Sequence, residues 1–413
     1  MKTSVTALLL TMLLLVASGG WAANSYTVLH YFGDGNDGWA PEAALIFDAN
    51  GNFYGTTTVG GLGCLSPGCG IVFQLQPNPD GTWTENVLHN LRNTEGAMSH
   101  APVVFDAQGN LYGTAPNGGS YNQGSVFKLL RSSGGYWPAL VLHSFSGGWD
   151  GANPFGGVLL DSAGNIYGMT SAGGVSSAGV VFSLSGQNVG VENVLRSFAG
   201  GNDGNGPMSA LIADAAGNLY GTTYAGGASG AGTAFKLSPN RQTPGWTYTI
   251  LHTFNAIAYG SGSDGANPYG RLVLDASGNL YGTTVFGGPA AGGTVFKLSP
   301  NGDGTWTESV IYAFQGGTDG NTPYGGVVFD PAGNLYGTTS GGGPGGRGTV
   351  FKLIPASGGG WTETILHAFT GHADGGLPGA AVILDHAGNI YGTAAMGGHG
   401  GFENGGVVFE ITP

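Results

Sequence analysis

The sequence predicts an all-β protein: a seven-bladed β-propeller of four-stranded blades, closed by an N-terminal outer strand that completes the last blade. Three observations predict it. The stretch Asp-x-x-Gly-Asn-(apolar)-Tyr-Gly occurs seven times, starting at Asp48, Asp106, Asp161, Asp214, Asp275, Asp330 and Asp385. Its tyrosines, Tyr54, Tyr112, Tyr167, Tyr220, Tyr281, Tyr336 and Tyr391, recur every 53 to 61 residues. That period is too long for a leucine-rich or helical-hairpin repeat and suits a four-stranded blade. The two ends are also complementary. Residues 26–32 read as a fourth strand with no first three before it, and 406–412 as a third strand with no fourth after it. One end therefore completes the other, and ring closure leaves no sheet edge open.

The sixth copy displays the elements best. Gly326-Val327-Val328-Phe329 is a short apolar run ended by the Asp330 turn, and residues 334–339 follow it. Asp caps its own turn and Gly or Asn accepts positive φ, which makes this link a tight antiparallel hairpin. Residues 348–353 and 361–367 alternate and are rich in aromatic or β-branched side chains, as third and fourth strands should be.

Ahead of the repeats, residues 1–23 read as a secretory signal peptide: Lys2, an apolar run from Val5 to Val16, then small residues around a cut near Ala23. The run is too short to favour a membrane span, and no second one follows. The expectation is a secreted or periplasmic monomer whose residues 24–413 form one domain. With 84 glycines among 413 residues and only 8% charged side chains, the composition fits short strands joined by tight turns. The net charge of −13 with 11 Lys and Arg makes nucleic acid a poor partner, because phosphate binding needs a basic patch. Cys64 and Cys69, the only cysteines, lie close together in one loop, and an exported chain should join them as a disulfide.

Strand parity puts the loops after the second and fourth strands on one face. The first set carries Gly-Gly pairs such as Gly342-Gly343. The second reads Asp-Gly-x-x-Pro, starting at Asp37, Asp150, Asp203, Asp264, Asp319 and Asp374, with an irregular copy at Glu95-Gly96 followed by Pro102. Seven carboxylates would then ring the axis mouth. They could organise a divalent cation such as calcium or a polyol, or each could simply cap its own turn. The repeat is broken in one sector. Tyr54 to Phe73 spans 19 residues and Tyr391 to Phe409 spans 18, against 15 elsewhere, and the Leu91 to Pro102 segment is also longer than its counterparts. That sector holds Trp39, Glu95, His100, His399, Phe402 and Glu403, and loops on a rigid scaffold are where function concentrates. His30, His89, His143, His252 and His367 recur in the fourth strand, with Arg196 and Tyr312 in the same slot. A slot that accepts Arg and Tyr points to structural hydrogen bonding. Glu85, Glu192, Glu308 and Glu363 read as solvated edge charges.

Asp-x-x-Gly-Asn-Leu-Tyr-Gly-Thr-Thr, the Gly-Gly loop and Gly-Thr-Val-Phe-Lys-Leu-Ser-Pro together resemble the GloVer tandem repeat of exported "choice-of-anchor" bacterial proteins, over residues 26–413. More distantly, Asp-x-x-Gly-Asn-Leu-Tyr is similar to blades of NHL, gluconolactonase-like and streptogramin-lyase-like propellers. The resemblance implies an exported repeat protein without an established activity. No catalytic or cofactor motif rises above the repeat. The expected function is therefore non-catalytic binding of a glycan, peptide or cell-surface partner through the two-loop face. The alternatives are a metal-dependent lyase or lactonase acting at the axis, and a structural envelope protein without ligand.

Overall fold

The structure, a computed structural model, describes residues 24–413 apart from 34–35, 187–189, 241, 256–261 and 400–404. The expected signal segment lies outside the described residues. Seven antiparallel sheets follow one another along the chain as seven blades. In blade 6 the strands are Val328–Phe329, Leu335–Thr339, Thr349–Pro355 and Trp361–Ala368. In the last blade Ile383–Leu384, Ile390–Ala394 and Val407–Thr412 are joined by Ser25–Tyr31, which pairs antiparallel with Val407–Thr412 from Ser25 opposite Thr412 to Tyr31 opposite Val407. The seven-bladed propeller and its closure are as the sequence predicts. Blade 5 departs in one detail. Its entering segment Gly262–Pro268 pairs along the lengthened second strand Leu280–Gly288, where other blades make single bridges such as Trp39 to Val59.

Each repeated residue has a visible task. Asp330 accepts bonds from the backbone N–H of Ala332 and Asn334, from the Asn334 side chain and from the Tyr336 hydroxyl, at 2.7 to 3.0 Å. Gly333, at φ +85°, takes the left-handed corner that a side chain would resist. Gly337 is a glycine for a different reason. It sits opposite Phe351 in the ladder, and the phenyl ring lies over it, 2.5 Å from where a Cβ would stand. The same phenylalanine recurs fully buried as Phe73, Phe127, Phe182, Phe235, Phe296 and Phe409.

The core lies between blades. Seven clusters of buried side chains occur among the described residues, and each spans two neighbouring blades. In one of them Leu45, Phe53, Ile71 and Phe73 of the first blade pack with Tyr391 and Val408 of the last, so apolar burial also seals the ring. Near the axis, Thr56, Thr114, Thr283, Thr338 and Thr393 each donate to a carbonyl of the next blade, those of Ala101, Gly156, Gly325, Ala380 and Ala43, at 2.8 to 3.1 Å. The Thr393 bond to Ala43 closes the circle.

Candidate functional site

Two sets of residues stand out once the blades are superposed by register. The first surrounds the axis. A cavity of about 980 Å3 is lined by residues of all seven blades, most of them Gly, Ala, Val, Leu and Ile from the innermost strands. It reaches the face carrying the acidic and Gly-Gly loops, where Thr322, Ser340, Gly341, Leu377 and Met396 line it. The residue before the loop proline is held at φ near +55° at Ala40, Asn153, Asn267, Thr322 and Leu377, as is Met98 before Ser99, and a glycine, Gly206 at φ +63°, takes the place in the remaining copy. Side chains rarely take this conformation, and it persists here because the backbone N–H is tied to the preceding blade, as Asn153 is to Gln123 O and Leu377 to Arg347 O. The bend aims a neighbouring position at the axis, and that position changes from blade to blade: Glu42, His100, Phe155, Met208, Tyr269, Tyr324 and Gly379.

Five of these residues meet in two groups. His100 Nδ1 lies 2.6 Å from Glu42 Oε2, its ring is 5.4 Å from that of Phe155, and Tyr269 meets Tyr324 edge to face at 5.2 Å. Burial first, then the nearby Glu42 carboxylate, pushes the Tyr269 hydroxyl up to about 12. Two residues further in, where the other blades carry Gly, Ala or Pro, blade 5 carries Arg271. The side chain opens onto the lumen yet is encircled by protein, and this desolvation pulls its pKa below the usual value. Among the described residues nothing accepts a hydrogen bond or forms an ion pair with it. An unpaired guanidinium in an apolar lumen is a ready counter-charge for an anion.

The second set lies at the blade junctions and contains the acidic loop residues. Asp37, Asp150, Asp203, Asp264, Asp319 and Asp374 each accept from a backbone N–H at the start of their own loop, at 2.5 to 3.3 Å. Each also meets the fourth-strand slot. His30 pairs with Asp37, His89 with Glu95, His143 with Asp150, His252 with Asp264 and His367 with Asp374, at 2.9 to 3.7 Å, while Arg196 binds Asp203 and Tyr312 donates to Asp319. Arg and Tyr can replace His there because the slot needs a donor. None of these seven carboxylates lines the axial cavity. They turn back under their loops instead of ringing the mouth.

The fourth-strand glutamates are not solvated, contrary to the sequence reading. Their strand face packs on the preceding blade, which an isolated repeat cannot reveal. The Glu192 side chain is 3% exposed, beside His143 and Asp150. Burial, then the Asp150 charge, pushes its carboxyl up to about 8. Burial similarly raises Glu308 and Glu363, each to about 7. Glu85 is half-buried at the equivalent position.

The described residues of the broken-symmetry sector lie in separate surroundings. His100 reaches the axial mouth, Glu95 lies under its loop on His89, Trp39 is 41% exposed, and His399 packs on Tyr31 at 3.9 Å. Phe402 and Glu403 lie outside the described residues. Cys64 and Cys69 form the expected disulfide. The expected lengthening before blade 2 is absent. Ala97 bridges Asn117 as Trp39 bridges Val59, so Ser99 holds the proline position, with its hydroxyl bonded to Thr114 O, and Pro102 belongs to the approach to the first strand. Sequence reasoning missed Glu42, Tyr269, Arg271 and Tyr324. The signal was present in the residues around the loop proline, the one part of the acidic loop that varies while its neighbours repeat.

A search of curated proteins finds no match. Among solved structures, a Thermus thermophilus protein carrying an unproven assignment as an oxidoreductase (glucose dehydrogenase) is similar, with 15% identity, a TM-score of 0.43, and coverage of 83% of this chain and 99% of that one. A Dyadobacter fermentans protein of unknown function has 12% identity, a TM-score of 0.41, and coverage of 94% and 98%. The model of the Gloeobacter/Verrucomicrobia repeat matches residues 18–156, 131–316 and 303–413, together nearly the whole chain. The chain belongs to the Gloeobacter/Verrucomicrobia repeat family.

Proposed function

We propose that this propeller is a non-catalytic binding protein of the exported side of the cell, and that its ligand enters the axial mouth with an apolar body and a carboxylate, as the C-terminus of a peptide would. Arg271 carries the reading. It is an unpartnered cation in an apolar cavity of about 980 Å3, in a chain of net charge −13. Ligand pockets of this kind are mostly apolar, with a few polar groups that orient what they hold. Phe155, Tyr269 and Tyr324 supply flat apolar surface at the rim, and Glu42 with His100 supplies polar contacts on one side of it. A sugar chain fits less well, since its many hydroxyls would find few partners among Val, Ile, Leu, Ala and Gly. For a lyase or lactonase, three or four acids or histidines would have to meet at the axis, and the described lining contains Glu42 and His100.

Isothermal titration with acetylated tetrapeptides ending in apolar residues, each as the free acid and the amide, tests the reading. Free acids are expected to bind at least about tenfold more tightly, a difference of about 1.4 kcal/mol. Arg271→Gln should erase the difference. Equal binding of acid and amide, or no binding by any acid, overturns the proposal.

A further inference from the structure

We propose that the junction of blades 2 and 3 is a divalent-metal site formed by His143, Asp150 and Glu192. It is separate from the axial cavity, whose lining contains none of the three. His143 comes from the outer strand of blade 2, Ala139–Ser144. Asp150 comes from the loop that follows, and Glu192 from the outer strand of blade 3, Glu192–Ser197.

The geometry is close to what a small cation requires. His143 Nε2 lies 3.6 Å from Asp150 Oδ2 and 3.7 Å from Glu192 Oε2, and one ligand atom of each residue lies within 4.8 Å of the others. Metal bonds of about 2.0–2.2 Å place tetrahedral ligand atoms about 3.3–3.6 Å apart, so the two His143 distances are nearly right and a closing of the set from within 4.8 Å brings the three onto one ion.

The second observation is an unmet need. Neither oxygen of Glu192 has a hydrogen-bond partner, although its side chain is only 3% exposed, and the Nε2 of His143 has none either. Buried polar atoms are nearly always satisfied, and two buried carboxylates side by side call for a positive charge. Among the described residues neither forms an ion pair with Lys or Arg. Asp150 is already aimed, because the Ser146 N–H and hydroxyl both bond to it.

The neighbouring junction supports this reading. Between blades 3 and 4, Arg196 stands in the histidine slot and binds Asp203, while Tyr248 takes the glutamate position and lies 4.3 Å under the guanidinium. The protein there supplies its own cation and drops the second carboxylate. At the junction of blades 4 and 5 the set His252, Asp264 and Glu308 recurs, but His252 already bonds to Asp264 at 3.0 Å, so an ion would have to displace that bond. One imidazole and two carboxylates form a donor set for zinc or manganese; calcium prefers oxygen ligands alone.

The test is titration of the chelator-stripped protein with ZnCl2, MnCl2 and CaCl2, followed by calorimetry and thermal unfolding. At least one equivalent of Zn2+ or Mn2+ should bind and raise Tm, in preference to Ca2+. Glu192→Gln keeps the shape and removes the carboxylate ligand, so the variant should fold, yet lose this equivalent and its Tm increment. Cobalt substitution of the unaltered protein gives an independent readout, a ligand-field absorption band that His143→Gln should remove. Absence of binding by Zn2+ and Mn2+, or binding and a cobalt band unchanged in both variants, overturns the proposal.

Discussion

Replacing Gly337 with Ala probes the packing that every blade repeats. A methyl group there would stand 2.5 Å from Phe351 Cζ, 3.0 Å from Cε1 and 3.3 Å from Cε2, with no backbone atom among its nearest neighbours. Comfortable carbon contacts begin at about 3.5 Å, so the ring must move by roughly 1 Å. It has little room, being fully buried and packed edge to face on Phe314 at 5.1 Å. Overpacking of this kind costs about 1–3 kcal/mol. The lower backbone entropy of Ala in the unfolded chain returns about 0.4–1 kcal/mol, leaving a net loss centred on about 1.3 kcal/mol. Phe351→Leu alone should cost about 2 kcal/mol through lost burial and a residual void. In the double variant the methyl enters space that the ring tip has vacated, and the combined loss should fall short of the sum by about 1 kcal/mol or more. Urea unfolding followed by tryptophan fluorescence and far-UV circular dichroism measures all three, provided the two probes coincide. Additive losses, or a neutral Gly337→Ala, would refute the assignment of this glycine to ring contact.

The other predictions concern the turns, the core and the staple. Asp48, Asp106, Asp214, Asp275 and Asp330 are partly buried, which alone would raise their pKa values, but hydrogen bonds from their turns, led by the asparagine side chain, hold them below the usual carboxylate value. A lowered folded-state pKa stabilises above the unfolded value near about 4 and is lost as pH falls through the folded one. Tm should therefore fall progressively below about pH 4, and Asp214→Asn should remove part of that slope; an unchanged slope would count against the turn network. Tyr220→Ala should cost about 3–5 kcal/mol in urea melts, because the ring is 5% exposed within an inter-blade cluster, and a loss below about 1 would overturn the core assignment. Thr338→Val removes the buried bond to Ala380 O in the next blade and should cost about 1–2 kcal/mol by the same assay, whereas a gain in stability would deny that bond a role. Reducing Cys64–Cys69, which closes a loop with a sequence separation of 5, should cost no more than about 2 kcal/mol, and collapse of the whole ring on reduction would contradict that local role.

The blade, the number of blades and the manner of closure were all legible in the amino-acid order. Those depend on short-range rules written seven times: an Asp that caps its own turn, a Gly that takes the corner, alternating strands, and two half-blades at the ends. The fourth-strand slot could also be read as hydrogen bonding, because Arg196 and Tyr312 share it with the histidines. What faces what was left to the packing of the ring. Glu192 looks like an edge charge along its own strand and becomes buried only when blade 3 lies on blade 2. The acidic loop residues look convergent by parity, but each turns toward its own junction. Glu42, His100, Tyr269 and Arg271, spread over more than 200 residues, share one cavity only because the ring closes. Local hydrogen bonding is encoded in neighbouring residues, whereas burial and the meeting of distant side chains are properties of how whole blades pack, and a single repeat cannot carry that information.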